Sequence, residues 1–244
     1  MKNLIRGHLY QLKRDNLFFG CLAFSVAFLI VSIRIASLGG GAASGGIESL
    51  MSTFLGGDFV LYAFMLLTAN MIAEAYRSGV MKNIIGRGIP KKQYCLSVVV
   101  TVSAAFLLVM LLSGIVMGVL AGSRSGLGTI SYPAFYALSV IARILFVMAH
   151  ISFAVTMAIL TRNAIAGVIF GLMVPNIPRI LEMILRFLKI RVDLGFLKIS
   201  THMPSIYEAS NDLSTFWPCF IVLCCYLALS VFAGIRLLKY QDIK

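Results

Sequence analysis

Residues 95 to 123 read CLSVVVTVSAAFLLVMLLSGIVMGVLAGS, a stretch that contains no charged residue. A transmembrane α-helix needs about 20 mostly apolar residues, so this stretch is longer than one bilayer crossing requires. Backbone polar groups inside a bilayer must be satisfied within the segment, which favours a helix. The stretch therefore predicts a membrane-spanning helix that tilts or projects beyond the hydrocarbon core.

The composition of the whole chain agrees with this prediction. Of its 244 residues, 60% are hydrophobic and only 12% are charged, and the mean hydropathy is +0.95. Soluble domains contain about 25% charged residues, which cover their surfaces with polar groups. The chain is therefore predicted to be an all-α integral membrane protein with a single transmembrane domain, residues 1–244.

Further apolar runs on both sides of the central stretch predict six transmembrane helices. They are preceded by a basic segment, residues 1–16, whose apolar residues recur at helical spacing and predict a helix in the membrane interface. The alternative for this segment is a solvated basic tail. Residues 37–58, rich in glycine and without Lys or Arg, are predicted to form a flexible outer loop. The predicted spans are about 17–36, 59–75, 95–121, 133–160, 164–178 and 216–237.

The fifth span is predicted to be broken, because Pro175 and Pro178 interrupt its helical pattern. The residues that follow, 179–189, have apolar and charged faces at helical spacing, which predicts an interfacial or partly re-entrant amphipathic helix on the outer side. We assign residues 179–215 to an outer helix and loop. An alternative is that the fifth segment does not cross, which would place the C-terminus outside.

The charge pattern predicts the orientation of the spans. The net charge is +12, and a basic balance on a soluble protein would suggest nucleic acid. Here the basic residues flank apolar runs, as cytoplasmic segments do, and we expect no nucleic-acid partner. The densest cluster, in loop 77–92, predicts cytoplasmic N- and C-termini, although residues 179–198 form a basic exception outside. The cluster comprises Arg77, Lys82, Arg87, Lys91 and Lys92.

Motifs of known catalytic chemistry are absent from the sequence. It contains no phosphate-binding loop, no metalloprotease His-Glu-x-x-His and no Gly-x-Ser-x-Gly nucleophile turn. Its five cysteines have neither zinc-site nor redox-pair spacing. We therefore predict no catalytic, metal or cofactor site on this chain.

Three polar residues fall inside predicted spans: Asn70, Arg143 and His150. Arg143 lies about ten residues into the fourth span, and His150 follows nearly two turns later on the same face. A charge near mid-membrane costs about 2.5 to 3.5 kcal/mol on insertion scales, so Arg143 should face protein or water. One interpretation is a translocation path, and the other is hydrogen bonding between helices.

Two stretches carry a resemblance to a known family. The loop at residues 74 to 94 reads EAYRSGVMKNIIGRGIPKKQY, with an acidic residue, a glycine, a basic residue, an apolar pair and a proline followed by a basic residue. The chain ends FAGIRLLKYQDIK, residues 232 to 244. These stretches, the six-span layout and the broken fifth segment resemble the permease subunits of type 2 ABC exporters. Without the resemblance, the loop is a basic segment anchored at anionic headgroups.

The resemblance implies a coupling helix near residues 78–85 that docks on a separate ATPase subunit. Two permease chains, identical or paralogous, would join two ATPase subunits, which bind ATP and magnesium. It also implies a conduit at the permease dimer interface, lined by the second and fifth spans, with Glu74 capping or orienting the coupling helix. The residues that it places in coupling are Glu74, Arg77, Ser78, Gly79, Lys82, Ile84, Ile85 and Pro90.

The expected function is that of a permease in a bacterial plasma membrane that exports an amphipathic or hydrophobic substrate. Small permeases of this type resemble those that export peptide toxins or antimicrobial peptides, or that confer immunity to them. A second class is an immunity or sensor protein that binds a peptide without transport. A third is an intramembrane enzyme, for which Arg143 and His150 form the candidate site.

Overall fold

A computed structural model describes residues 2–38, 45–128, 133–173, 176–188 and 216–240 of the chain. Every regular element in these ranges is an α-helix, which confirms the predicted all-α class. The helices are α1 (Lys2–Arg14), α2 (Asn16–Leu38), α3 (Gly46–Leu55), α4 (Asp58–Arg77), α5 (Val80–Gly86), α6 (Lys91–Ser125), α7 (Pro133–Thr161), α8 (Ala164–Met173), α9 (Ile177–Phe187) and α10 (Phe216–Tyr240).

The described chain has five spans long and apolar enough to cross a membrane: α2, α3 with α4, α6, α7 and α10. Helices α8 and α9 make a sixth if they form one span, and they are bent by 60° relative to each other. This is the segment in which the sequence predicted a break followed by an amphipathic helix. Pro175 and the predicted outer loop 189–215 lie outside the described residues.

Long-range contacts define two ends of the helix bundle. At one end, called the near end, the Arg162 guanidinium lies 5.4 Å from the centre of the Tyr76 ring. At the same end Lys91 Nζ donates a hydrogen bond to the carbonyl of Leu238 at 2.6 Å. The near end thus contains the C-terminal ends of α4, α7 and α10 and the beginning of α6. The opposite end, where α4 begins and α6 ends, is called the far end.

The directions of the last helices follow from their contacts with α7. Gly167 packs on Ala158 and Gly171 on Ala154, so α8 runs antiparallel to α7 from the near end. Ser152 bonds the Ser230 hydroxyl, and Thr156 Oγ1 lies beside Gly234, so α10 runs parallel to α7. Helix α8 therefore begins at the near end and α10 begins at the far end.

The prediction of a flexible loop over residues 37–58 is wrong for Gly46–Leu55, which form helix α3. This helix lies against the far half of α6, where glycines 114, 118 and 122 recur every fourth residue. A Cβ atom on Gly46 would lie 2.7 Å from the Gly118 carbonyl, and one on Gly114 would lie 2.9 Å from the Leu50 carbonyl. Small residues at this spacing let helix backbones approach closely, which explains how α3 packs against α6.

The outer faces of the bundle are apolar. Large hydrophobic side chains such as Phe24, Val119 and Ile221 are about half exposed or more. Such a continuous apolar surface is characteristic of lipid contact and is rare on soluble monomers. The fold is that of a multi-pass membrane protein, and α7 is the most buried of its described spans.

Candidate functional site

The sequence-predicted coupling residues surround a sharp corner between α4 and α5 at the near end. The Ser78 backbone N–H and hydroxyl both donate to the Glu74 carbonyl, at 2.9 and 2.7 Å, and close the last turn of α4. Gly79 then adopts a φ of 70°, a left-handed conformation that favours glycine. The chain can therefore reverse within two residues and begin α5 at Val80.

Helix α5 has one side in the protein and one side in solvent. Met81 is only 1% exposed, and Ile84 and Ile85 pack partly against the same core. Lys82 and Arg87 are exposed. Apolar anchors therefore fix this short helix on the bundle while its basic residues remain available to a partner.

Two neighbouring elements complete this surface at the near end. Pro90 occupies the N-cap position of α6, and its carbonyl accepts from the Gln93 N–H at 2.9 Å. The α7–α8 turn places Arg162 over Tyr76. Both elements lie next to the α4–α5 corner, so the near end presents exposed cations from several segments.

The Glu74 side chain lines an open cleft of about 670 Å³ between the α1–α2 junction and the last turns of α4. The Glu74 carbonyl closes the last turn of α4, and the capping or orienting of α5 that the resemblance implies for Glu74 stays a prediction. The polar residues lining the cleft are Tyr10, Gln11, Arg14, Asp15, Asn16, Asn70, Glu74 and Arg77. Of the three predicted path residues, the structure brings only Asn70 to this cleft.

Arg143 lies at the far end, completely buried. Its Nη1 donates to Asp58 Oδ1 at 2.8 Å, and its Nη2 donates to the Gly56 carbonyl. Its guanidinium also lies 5.2 Å from the centre of the Phe146 ring. These contacts join α7 to the junction between α3 and α4.

The level of Arg143 in the bundle follows from its contact with the start of α4. Helix α4 has 20 residues, which gives a length of about 30 Å. Asp58 begins this helix and Arg77 ends it. Arg143 therefore lies at the level of Asp58, one length of α4 away from Arg77.

His150 is also enclosed, between the helices rather than in the cleft. Its Nδ1 donates to the Phe146 carbonyl at 2.9 Å, and its ring lies 4.1 Å from the Phe146 ring, centre to centre. Arg143 and His150 share the buried side of α7, as their spacing predicted. Arg143 joins α7 to the start of α4 through Asp58, whereas the contacts of His150 with Phe146 lie within α7.

One face of α4 remains open along its whole length. We call it the α4 stripe, and it lies between α2, which packs near Ala63 and Phe64, and α8, whose Gly171 packs on Met65. Its far half is apolar and aromatic, and its near half is polar and enters the cleft. The residues of the stripe are Phe59, Tyr62, Leu66, Asn70, Glu74 and Arg77.

Sequence reasoning missed a polar contact that holds α1 on the bundle. His8 is buried, and its Nε2 lies 3.1 Å from Ser97 Oγ on α6. The Ser97 hydroxyl donates to the Tyr94 carbonyl at 2.7 Å, so the His8 Nε2–H is the donor to Ser97. Burial lowers the pKa of His8 below its usual 6.5, and a hydrogen bond with Gln11 offsets part of this. The position of His8 on the apolar side of a basic helix was the sequence signal that could have indicated this contact.

Within the described ranges, no three metal-binding side chains lie close enough together to hold an ion. No protein-family model and no curated protein matches this chain.

Proposed function

We propose that this chain is the permease subunit of an ATP-driven exporter of the type 2 ABC class, powered by a separate ATPase. The single observation that carries the proposal is helix α5. A short helix that is anchored by Met81 and exposes Lys82 and Arg87 is a rigid projection suited to receive force from a docked subunit. No motor motif occurs in the chain itself.

The near end is the cytoplasmic end in this proposal. Basic residues of α1, the α4–α6 region, the α7–α8 turn and α10 gather there, whereas Arg124 is the basic residue at the described far end of α6. Cytoplasmic segments carry such an excess of Lys and Arg. Both termini would then face the cytoplasm of a bacterial cell, and an ATPase would meet α5 there.

The α4 stripe is the proposed translocation surface. Asn70 lies two turns from Arg77, about 10 Å into the hydrocarbon core, and is partly exposed. A carboxamide facing lipid at that depth is costly, so a second permease copy or a water-filled path would be its natural neighbour. Helix α4, which carries this surface, and α8, which lies beside it, correspond to the second and fifth spans that the resemblance places at the conduit. An amphipathic substrate matches its polar and apolar halves.

Site-specific photo-crosslinking in intact cells tests the docking proposal. A photoreactive residue at Lys82 should form an adduct with an ATP-binding subunit, and the same residue at Arg124 should not, since both positions are exposed at opposite ends. Adduct formation from Arg124 alone, or none from either position, would contradict the proposal. Purification of a stable, peptide-binding chain without any ATPase would favour the immunity or sensor function instead.

A further inference from the structure

The near-end cleft gathers four charged side chains of both signs around one opening. Arg14 and Asp15 belong to the α1–α2 junction, and Glu74 and Arg77 belong to the end of α4. None of the four makes an ion pair with another side chain in the described part of the chain. Arg14 donates to the Tyr10 hydroxyl at 2.9 Å. The cleft thus presents two cations and two carboxylates to whatever enters it.

Asp15 supplies a second observation within the same cleft. Its Oδ1 accepts the Leu17 N–H at 2.9 Å and caps α2. Its Oδ2 is enclosed, yet it receives no hydrogen bond from any residue that the structure describes. An enclosed carboxylate oxygen without a donor is costly, so a positively charged donor bound in the cleft would be stabilised.

The surroundings of the cleft fit an amphiphile. Arg77 ends the helix that spans the hydrocarbon core, so the cleft lies at the level of lipid headgroups. From Asn70 the α4 stripe continues through Leu66 and Tyr62 to Phe59, about 16 Å along the helix. A polar pocket at headgroup depth that leads into an apolar face of this length suits a headgroup followed by an acyl chain.

We propose that the cleft binds a phospholipid of the near-end leaflet that carries a zwitterionic phosphoethanolamine headgroup. Arg14 and Arg77 would bind the phosphate, because guanidinium groups match phosphate oxygens with paired hydrogen bonds. Asp15 and Glu74 would bind the ammonium group, and the acyl chain would lie along the apolar far half of the α4 stripe, from Leu66 to Phe59. A purely anionic headgroup would be repelled by the two carboxylates, and a choline group offers them no N–H donor.

This inference goes beyond the proposed function, because headgroup binding requires neither an ATPase nor transport. It is tested on the purified full-length chain alone, so its outcome is independent of the crosslinking experiment. The chain is exchanged into micelles that contain equal amounts of phosphatidylethanolamine, phosphatidylcholine and phosphatidylglycerol. Lipid retained after purification is then measured by mass spectrometry.

The expected result is enrichment of phosphatidylethanolamine over both other lipids. Arg77→Gln should lower its retention roughly tenfold, as loss of a charge-assisted hydrogen bond implies. Glu74→Gln should remove the preference for phosphatidylethanolamine over phosphatidylcholine. The control Lys82→Gln, exposed at the same end but outside the cleft, should change neither. Arg14→Gln and Asp15→Asn test the opposite wall if the α4 variants do not fold.

Three outcomes would overturn the proposal. Equal retention of the three lipids would mean that the cleft has no headgroup preference. A preference for phosphatidylglycerol that Arg77→Gln and Lys82→Gln lower equally would indicate a general basic surface. Displacement of phosphatidylethanolamine by an amphipathic peptide, with peptide binding lost in Arg77→Gln, would assign the cleft to a peptide.

Discussion

The Arg143 guanidinium of α7 donates to the Asp58 carboxylate at 2.8 Å, across 85 residues of sequence. Arg143 is fully buried, whereas the Asp58 side chain is 43% exposed. Water at Asp58 lowers the cost of bringing the pair together, while the Gly56 carbonyl accepts a further N–H of the guanidinium. The pair therefore closes the far end by joining α7 to the start of α4.

Removing one partner of this pair should destabilise the bundle. We expect Asp58→Asn to lower the free energy of unfolding by about 1–3 kcal/mol, because Arg143 would keep its charge with a weaker acceptor. The double variant Asp58→Asn, Arg143→Met should lose less free energy of unfolding than the sum of the losses in the two single variants. Denaturant unfolding in detergent measures this, with Arg124→Met, exposed at the same end, as the control. Wild-type stability of Asp58→Asn would contradict a structural role.

The packing of α3 on α6 gives a second prediction. A Cβ on Gly114 would lie 2.9 Å from the Leu50 carbonyl, whereas a Cβ on Gly20 in α2 meets nothing within 4 Å. Gly114→Ala should therefore cost about 1–3 kcal/mol by overpacking, and Gly20→Ala should be neutral or stabilising by up to about 1 kcal/mol. Thermal unfolding of both variants in the same detergent makes the comparison. Equal effects at the two positions would show that α3 does not pack closely on α6.

Docking of α1 should depend on pH through His8. Burial holds the pKa of His8 below 6.5 in the docked state, so detached α1 binds more protons between that lowered value and 6.5. The docked state is consequently most stable above this window and loses stability as the pH falls through it. The groups facing His8 are the neutral Ser97 and Tyr94 on α6 and Gln11 on its own helix.

Hydrogen exchange of the α1 amides at pH 7.5 and 5.5 measures this docking. Exchange should be faster at the lower pH in the wild-type protein, after correction for intrinsic rates. His8→Gln preserves a hydrogen-bond donor without a titrating group, so its pH dependence should be flatter. A protein whose α1 exchange has the same pH dependence in both forms would rule out His8 as the titrating group.

Local signals in the sequence were sufficient for the all-α class and for the five to six helices long and apolar enough to cross a membrane. A long apolar run indicates such a helix directly, because an α-helix satisfies its own backbone hydrogen bonds. Gly79 and Pro90 also mark the N-terminal ends of α5 and α6, as the structure shows. These features depend on residues that are close together in the chain.

The features that sequence reasoning missed depend on distant pairs. Asp58 lay at the end of a predicted loop, and nothing near it indicated Arg143 as its partner. Helix α3 has only 10 residues, too few to predict a span, and its order comes from the glycines of α6. The cleft requires α1 to lie beside the end of α4, a relationship between distant residues that no local sequence pattern encodes.

The last prediction concerns the coupling role of α5. If an ATPase docks there, Lys82→Glu combined with Ile84→Ala should abolish stimulation of ATP hydrolysis by the permease, because the first removes a surface cation and the second loosens the helix. Glu74→Ala should also abolish it if this residue orients the helix, as the resemblance implies. Since Glu74 instead faces the cleft, normal stimulation in Glu74→Ala alone would assign it to the cleft and leave α5 as the docking element.

The measurement is the ATPase rate of the reconstituted complex, with Arg124→Ala at the far end as the control. Membrane insertion and unfolding temperature of each variant must match the wild-type protein, so that lost stimulation reports docking and not misfolding. Met81→Ala distinguishes anchoring of α5 on the bundle from direct contact of α5 with the ATPase. The Met81 side chain is on the buried side of α5 and cannot touch a partner, so any loss of stimulation in this variant acts through the position of the helix. Full stimulation in the Lys82→Glu, Ile84→Ala variant would refute docking at α5.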